Sequence, residues 1–121
     1  MKERNFFIPG DEIDPTLAPG RGSGYATDAI TVDGEPVGFM YREPPENPSD
    51  SGWRFFAGTE SQDYLDDPNN LASYDLNTIA NYDQEIIPFL DAPVGSAFER
   101  MPEHLGLVKA RYPDDPERNG A

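Results

Sequence analysis

The sequence predicts an α+β domain with a small antiparallel sheet of three or four strands and short helices packed on it. Three observations predict this class. Segments of β type occupy the first half of the chain, helix-capping patterns follow in the second half, and thirteen prolines and eleven glycines keep every element short. The 121 residues suit one domain. We divide them into an extended N-terminal segment (1–22), the α+β domain (23–101) and a C-terminal tail that could form a short helix (102–121).

The first predicted element is a β-hairpin. The apolar runs Ala29–Val32 and Val37–Tyr41 flank Asp33-Gly34, and an Asp-Gly pair in that position is typical of a two-residue hairpin turn. The resulting register places five apolar side chains on one face: Ile30, Val32, Val37, Phe39 and Tyr41. This segregation of apolar side chains supports the predicted pairing.

Two further strands are expected in the same sheet, at Trp53–Ala57 and Pro93–Arg100. Side chains alternate between the two faces of a strand. We therefore expect Trp53 and Phe55 to share the core face and Arg54 to point away from it. Because Arg54 borders a long acidic segment, we expect it to pair with a carboxylate and hold that segment against the sheet.

Helix signals follow the third strand. Ser61–Asp67 predicts one or two helical turns, ended by a proline. Asp75 is a good N-cap for a helix over residues 76–81, where apolar residues fall on one stripe. Asp83 is a second N-cap candidate, and Pro88 predicts that the helix after it is short or bent.

The charge of the chain is strongly negative. It has 9 basic and 23 acidic residues, a net charge of −14, and no Lys, Arg or His lies between Arg54 and Arg100. Binding to nucleic-acid phosphates or to an anionic membrane surface needs clustered positive charge, so we expect neither. A basic protein partner and mimicry of DNA by carboxylates both remain open. So does the simpler interpretation that the charge keeps the protein soluble.

The segment between these arginines interleaves carboxylates with aromatic residues, a pattern that favours capture of a cationic partner. We expect it to be the docking face, with Tyr64 or Tyr82 as an aromatic anchor. The candidate partner-binding residues are Glu60, Asp63, Tyr64, Asp66, Asp67, Tyr82, Asp83 and Asp91. For the helix-cap candidates the alternative is a purely structural role.

No pattern in the sequence indicates catalysis. The chain has no cysteine and one histidine, His104, and it lacks a phosphate loop, a dinucleotide fingerprint and a nucleophile elbow. We expect no cofactor and no enzymatic activity. One alternative is a cation-binding or hydrolytic loop, because Asp63, Asp66, Asp67 and the asparagines after them offer oxygen ligands. No apolar run is long enough for a signal peptide or a membrane span, so we expect a cytoplasmic protein.

Several motifs in a fixed order resemble one bacterial family. They lie at 30–34, 37–43, 50–58, 74–83, 86–88 and 93–100. Over residues 24–100 the chain resembles the immunity protein 33-like family, a domain formerly of unknown function. The resemblance implies a non-enzymatic immunity protein that neutralises a cognate toxin of a polymorphic toxin system. The alternative is a general protein-interaction or regulatory module unrelated to toxins.

Overall fold

A computed structural model describes residues 4–101 and 106–113. The fold is α+β, as predicted, but the sheet formed by the described residues is mixed and has six strands. These are β1 (Ser23–Thr27), β2 (Phe39–Arg42), β3 (Asp50–Phe56), β4 (Leu71–Asp75), β5 (Ala97–Arg100) and β6 (Leu107–Lys109). Their order is β4-β1-β3-β2-β5-β6, with β1 parallel to β3 and the other neighbours antiparallel. The prediction of a purely antiparallel sheet of three or four strands is therefore wrong.

Short helices connect these strands. The α-helices are α1 (Asp28–Thr31), α2 (Gln62–Asp66) and α3 (Leu76–Tyr82), and 3-10 turns occur at Gly10–Glu12, Pro68–Asn70 and Gln84–Phe89. None of the helices in the described part of the chain has the length and apolar character to cross a bilayer.

The predicted hairpin does not form, because its first strand is helix α1. Gly34 has φ +79°, and its N–H donates to the Ile30 carbonyl over 3.1 Å. The C-cap of α1 is Val32, and Gly34 two residues later, with its positive φ, lets the chain reverse direction after the helix. A two-residue hairpin turn uses the same left-handed conformation. The Asp33-Gly34 signal therefore located a chain reversal correctly but did not distinguish a hairpin from a helix end.

Three strands were not predicted, and each lacks a clear alternating pattern. β1 begins in a glycine-rich stretch, where Gly24 is needed because a Cβ would lie 2.8 Å from the Trp53 carbonyl oxygen. β4 carries no continuous apolar face. β6 lies at Leu107–Lys109, where a short helix was expected. The rest of the predicted tail, at 102–105 and 114–121, lies outside the described residues.

The local signals for the other elements are confirmed. β3 covers all of the predicted third strand except Ala57, and β5 lies within the predicted last one. The Asp75 carboxylate accepts from the N–H of Asn77 over 2.8 Å, and that of Asp83 from Glu85 over 3.0 Å, so both residues are N-caps. Pro88 lies inside the 3-10 turn that follows the second cap.

The core occupies one side of the sheet. Trp53 and Phe55 are fully buried, as expected, and pack in one cluster with Ile30 of α1 and Leu76 and Ile79 of α3. Helices α1 and α3 therefore cover this side, and the alternation of β3 turns its remaining side chains to the other side.

Candidate docking surface

The side of the sheet opposite the core carries a cluster of aromatic rings. Pairing of β2 with β3 places Phe39 opposite Phe56. The rings of Tyr41 and Phe56 stack with centroids 5.9 Å apart, and Phe39 lies 5.9 and 6.3 Å from them. Tyr112 meets Tyr41 edge-on at 5.7 Å. The half-buried rings of Phe39, Tyr41 and Phe56, without Tyr112, are called the aromatic face below.

Helix α2 borders the aromatic face. A groove of about 720 Å³ lies between them, with the three rings of the aromatic face, Leu65 of α2, Glu60 and Gln62 among its lining residues. A smaller pocket of about 210 Å³ shares Phe56 and Leu65 with this groove. Leu65 is 41% exposed, although it is a large apolar residue. The two cavities therefore share a wall formed by Phe56 and Leu65, and together they are called the recess below.

Four of the eight predicted docking residues come together on and beside α2: Asp63, Tyr64, Asp66 and Asp67. The three carboxylates are exposed, and Tyr64 is half-buried against the smaller pocket. Ser61 is the N-cap of this helix, and its hydroxyl accepts from the Tyr64 N–H over 3.1 Å. The sequence therefore places a small acidic surface at the edge of the recess.

Glu60 has a structural role in addition to its place on the groove. Its half-buried carboxylate accepts hydrogen bonds from the Thr27 hydroxyl (2.6 Å) and from the N–H groups of Ala57 (2.7 Å) and Gly58 (2.8 Å). Burial disfavours the charged form, but these hydrogen bonds outweigh it, so the pKa of Glu60 lies below its usual value. Glu60 therefore ties the end of β3 to the end of β1 while remaining ionised.

The side chains of Asp83 and Tyr82 form hydrogen bonds and an ion pair with other parts of the domain. Besides capping a helix, the buried Asp83 carboxylate accepts from the Val37 N–H over 2.9 Å and pairs with Arg100 at 2.7 Å. The Tyr82 hydroxyl accepts from the N–H of Ile8 over 3.2 Å and donates to its carbonyl over 3.3 Å. Both residues stabilise the structure, which is the role that the sequence left open for Asp83.

Asp91 is exposed but lies apart from the α2 acids. It pairs with Arg21 at 3.3 Å, and Arg21 lies two residues before the start of β1. Glu60, by contrast, bonds to Thr27 at the other end of β1. The eight predicted residues therefore do not form one continuous surface, and the four at α2 are the group that the fold brings together.

Arg54 is paired with carboxylates, as predicted, but they belong to a different segment. Its buried guanidinium donates to both oxygens of Asp50 at 2.9 Å each, donates to Glu43, and lies 4.6 Å from the centre of the Tyr25 ring. The hydrogen bonds from Arg54 hold the pKa of the Asp50 carboxyl well below its usual range. Arg54 therefore fixes the β2–β3 connection and does not hold the acidic segment against the sheet.

The aromatic face was missed as a surface because the predicted hairpin assigned Phe39 and Tyr41 to its apolar side. Met40 is fully buried and pairs with Phe55 in the core, so its neighbours in β2 point away from the core. The sequence of β2 allows either assignment. Only the pairing of Met40 with a core residue of β3 decides which side faces the helices.

The alternative of a cation site in the acidic loop gains no support. Among the described residues, no three His, Cys, Asp or Glu side chains are grouped as a metal site would need. Asp66 accepts from the Gln62 side-chain amide over 2.8 Å, and Asp67 from the Asn69 N–H over 2.9 Å. These carboxylates are used to order α2 and the turn after it.

Comparison with known proteins gives one match. A family model described as the immunity protein Imm33 domain matches residues 24–110. Searches of curated proteins and of solved structures gave no significant match. The matched range contains α2, the aromatic face and nearly the whole described sheet.

Proposed function

The chain belongs to the Imm33 immunity protein domain family, and from this premise we propose that it binds and blocks a cognate bacterial toxin without catalysing a reaction. The observation that carries the proposal is the acidic surface at α2, formed by Asp63, Asp66 and Asp67 beside Tyr64. In a chain of net charge −14, exposed carboxylates beside the smaller, largely apolar pocket suit a partner with a positively charged surface.

Electrostatics explains how such a surface would work. Complementary charge raises the rate of encounter between two proteins and suppresses wrong partners. A toxin that acts on nucleic acid needs a basic cleft to hold phosphates. The α2 carboxylates are exposed, so a toxin can reach them without unfolding the domain. The recess beside them offers apolar area, which supplies affinity that surface charge alone does not.

The direct test takes the product of the neighbouring open reading frame as the candidate toxin and asks whether this protein protects cells that express it. We expect the wild-type protein to restore growth and to co-purify with that toxin. Asp63→Asn combined with Asp66→Asn should lower the association rate constant about tenfold at low salt and flatten its salt dependence. The matched control is Asp11→Asn with Glu12→Gln, which removes two exposed charges from a turn outside the matched domain.

Two outcomes would contradict different parts of this proposal. If wild type neither protects nor co-purifies, the immunity role against that toxin is wrong, and the alternative of a general regulatory module takes its place. If both double variants slow association equally, net charge matters but the α2 surface is not the docking site. Thermal melting of each variant shows whether it is folded before these results are compared.

A further inference from the structure

We propose that the groove between α2 and the aromatic face holds an arginine-bearing segment of the partner toxin. The guanidinium would lie on the Phe56 ring, and an adjacent apolar side chain would enter the smaller pocket under Leu65. This inference rests on the proposed function and adds to it the chemistry of the partner. It predicts a contact that the α2 carboxylates alone do not make.

The shape of the recess suits side chains of an extended segment. The groove measures about 720 Å³, and the adjoining pocket about 210 Å³. Thr27 and Leu71 line the pocket together with Leu65, so its walls are largely apolar. Burial of one aliphatic side chain there would tighten binding by about tenfold or more before the cost of ordering the segment.

The groove also has the charge to receive a cation. Glu60 lines it, and Glu99 pairs opposite Phe39 on the same side of the sheet. Each carboxylate oxygen can accept two hydrogen bonds. Oε1 of Glu60 takes one, from the Gly58 N–H, and keeps capacity for another. A guanidinium above the rings would therefore meet ring faces below and a carboxylate at the rim.

The same side of the sheet already holds one guanidinium in this manner. Arg54 lies against the Tyr25 ring and donates hydrogen bonds to both carboxylate oxygens of Asp50. Among the described residues, cation–π contacts join Arg54 to Tyr25 and Arg42 to Trp53, and none involves the Phe56 ring. Arginine suits such a place better than lysine because its planar, weakly hydrated head stacks on rings and bonds carboxylates in pairs.

The chain's own C-terminal tail is the rival occupant, since Pro113 lines the groove. The next residues are Asp114, Asp115, Pro116 and Glu117. With Arg118 after them, residues 114–118 carry three carboxylates and one arginine, a net charge of −2, which has the same sign as the groove rim. Charge complementarity therefore favours a cationic segment from a partner over this tail.

The test needs no toxin, so its failure is separate from failure of the immunity role. The full-length ¹⁵N-labelled protein is titrated with the peptide acetyl-Leu-Arg-Leu-amide and followed by amide chemical shifts. We expect saturable shifts centred on Phe39, Phe56 and Leu65. The lysine analogue should bind at least about threefold more weakly, and the neutral citrulline analogue about fivefold or more, since a cation–π contact contributes on the order of 1 kcal/mol.

A ring-removing substitution sharpens the test. Phe56→Leu keeps an apolar side chain in the groove and should weaken binding of the arginine peptide about fivefold. Tyr25→Phe, on the same side of the sheet but outside the groove, should leave it unchanged. In the growth assay, protection that is lost in Asp63→Asn with Asp66→Asn but kept in Phe56→Leu would overturn the groove assignment and leave the immunity role intact.

Other occupants would show themselves in the same spectra. Groove amides that shift on dilution of the free protein would assign the recess to a second copy of this chain. Nuclear Overhauser contacts from residues 114–121 to Phe39 or Phe56 would assign it to the tail. Either result would overturn the inference, as would equal binding of the arginine and citrulline peptides.

Discussion

Replacing Arg54 with methionine should destabilise the protein by about 3 kcal/mol. Arg54 is 3% exposed and Asp50 is 8% exposed, and two hydrogen bonds of 2.9 Å join them. Removing one partner of a buried ion pair leaves the other charge uncompensated, which costs about 3–5 kcal/mol. Asp50 keeps two backbone donors, the N–H groups of Glu46 at 2.8 Å and Gly52 at 2.9 Å. We therefore expect the lower end of that range.

Equilibrium unfolding in urea measures this loss. Trp53 is the single tryptophan and is fully buried, so its fluorescence reports global unfolding. Arg54→Lys should lose less, because it keeps the charge but cannot bond both oxygens of Asp50. Arg54→Met combined with Asp50→Asn should cost less than the sum of the two single changes, since Asp50→Asn removes the buried charge that the loss of Arg54 leaves unpaired. A loss below about 1 kcal/mol for Arg54→Met, or strict additivity in the double variant, would refute this reasoning.

Two further predictions concern steric fit and pH. Gly38→Ala should cost about 2–3 kcal/mol, since its Cβ would lie 2.0 Å from the backbone oxygen of Ala57; Gly10→Ala, with nothing within 4 Å, is the neutral control in the same melting experiment. The pKa of Asp50 lies below its ordinary 3.8 because of the hydrogen bonds from Arg54. The Asp50 carboxylate therefore contributes fully to stability when the pH is above its ordinary pKa. This contribution declines as the pH falls toward the lower pKa of the folded state. Wild type should lose stability more steeply than Asp50→Asn between about pH 4.5 and 2.5, and parallel curves would contradict this.

The candidate site could be predicted only where its contacts are local. The short helix at α2 follows from Ser61 and the proline after it, so the grouping of Asp63, Tyr64 and Asp66 was within reach of the sequence. The separation of Asp91 from these residues could not be predicted, because it depends on which end of β1 lies near the segment that contains Asp91. Neither could the second role of Asp83, whose pairing with Arg100 joins residues 17 positions apart.

The sequence by itself determined the acidic character, the family, the helix caps and the alternation that buries Trp53 and Phe55. Each of these depends on composition or on residues within a few positions of one another. Only the tertiary structure decided that Asp33-Gly34 ends a helix, that β1 lies parallel to β3, and that Phe39 joins Phe56 on an aromatic face. The physical reason is that strand partners are chosen by packing across the whole domain. A short strand fits either side of a sheet until its neighbours are in place.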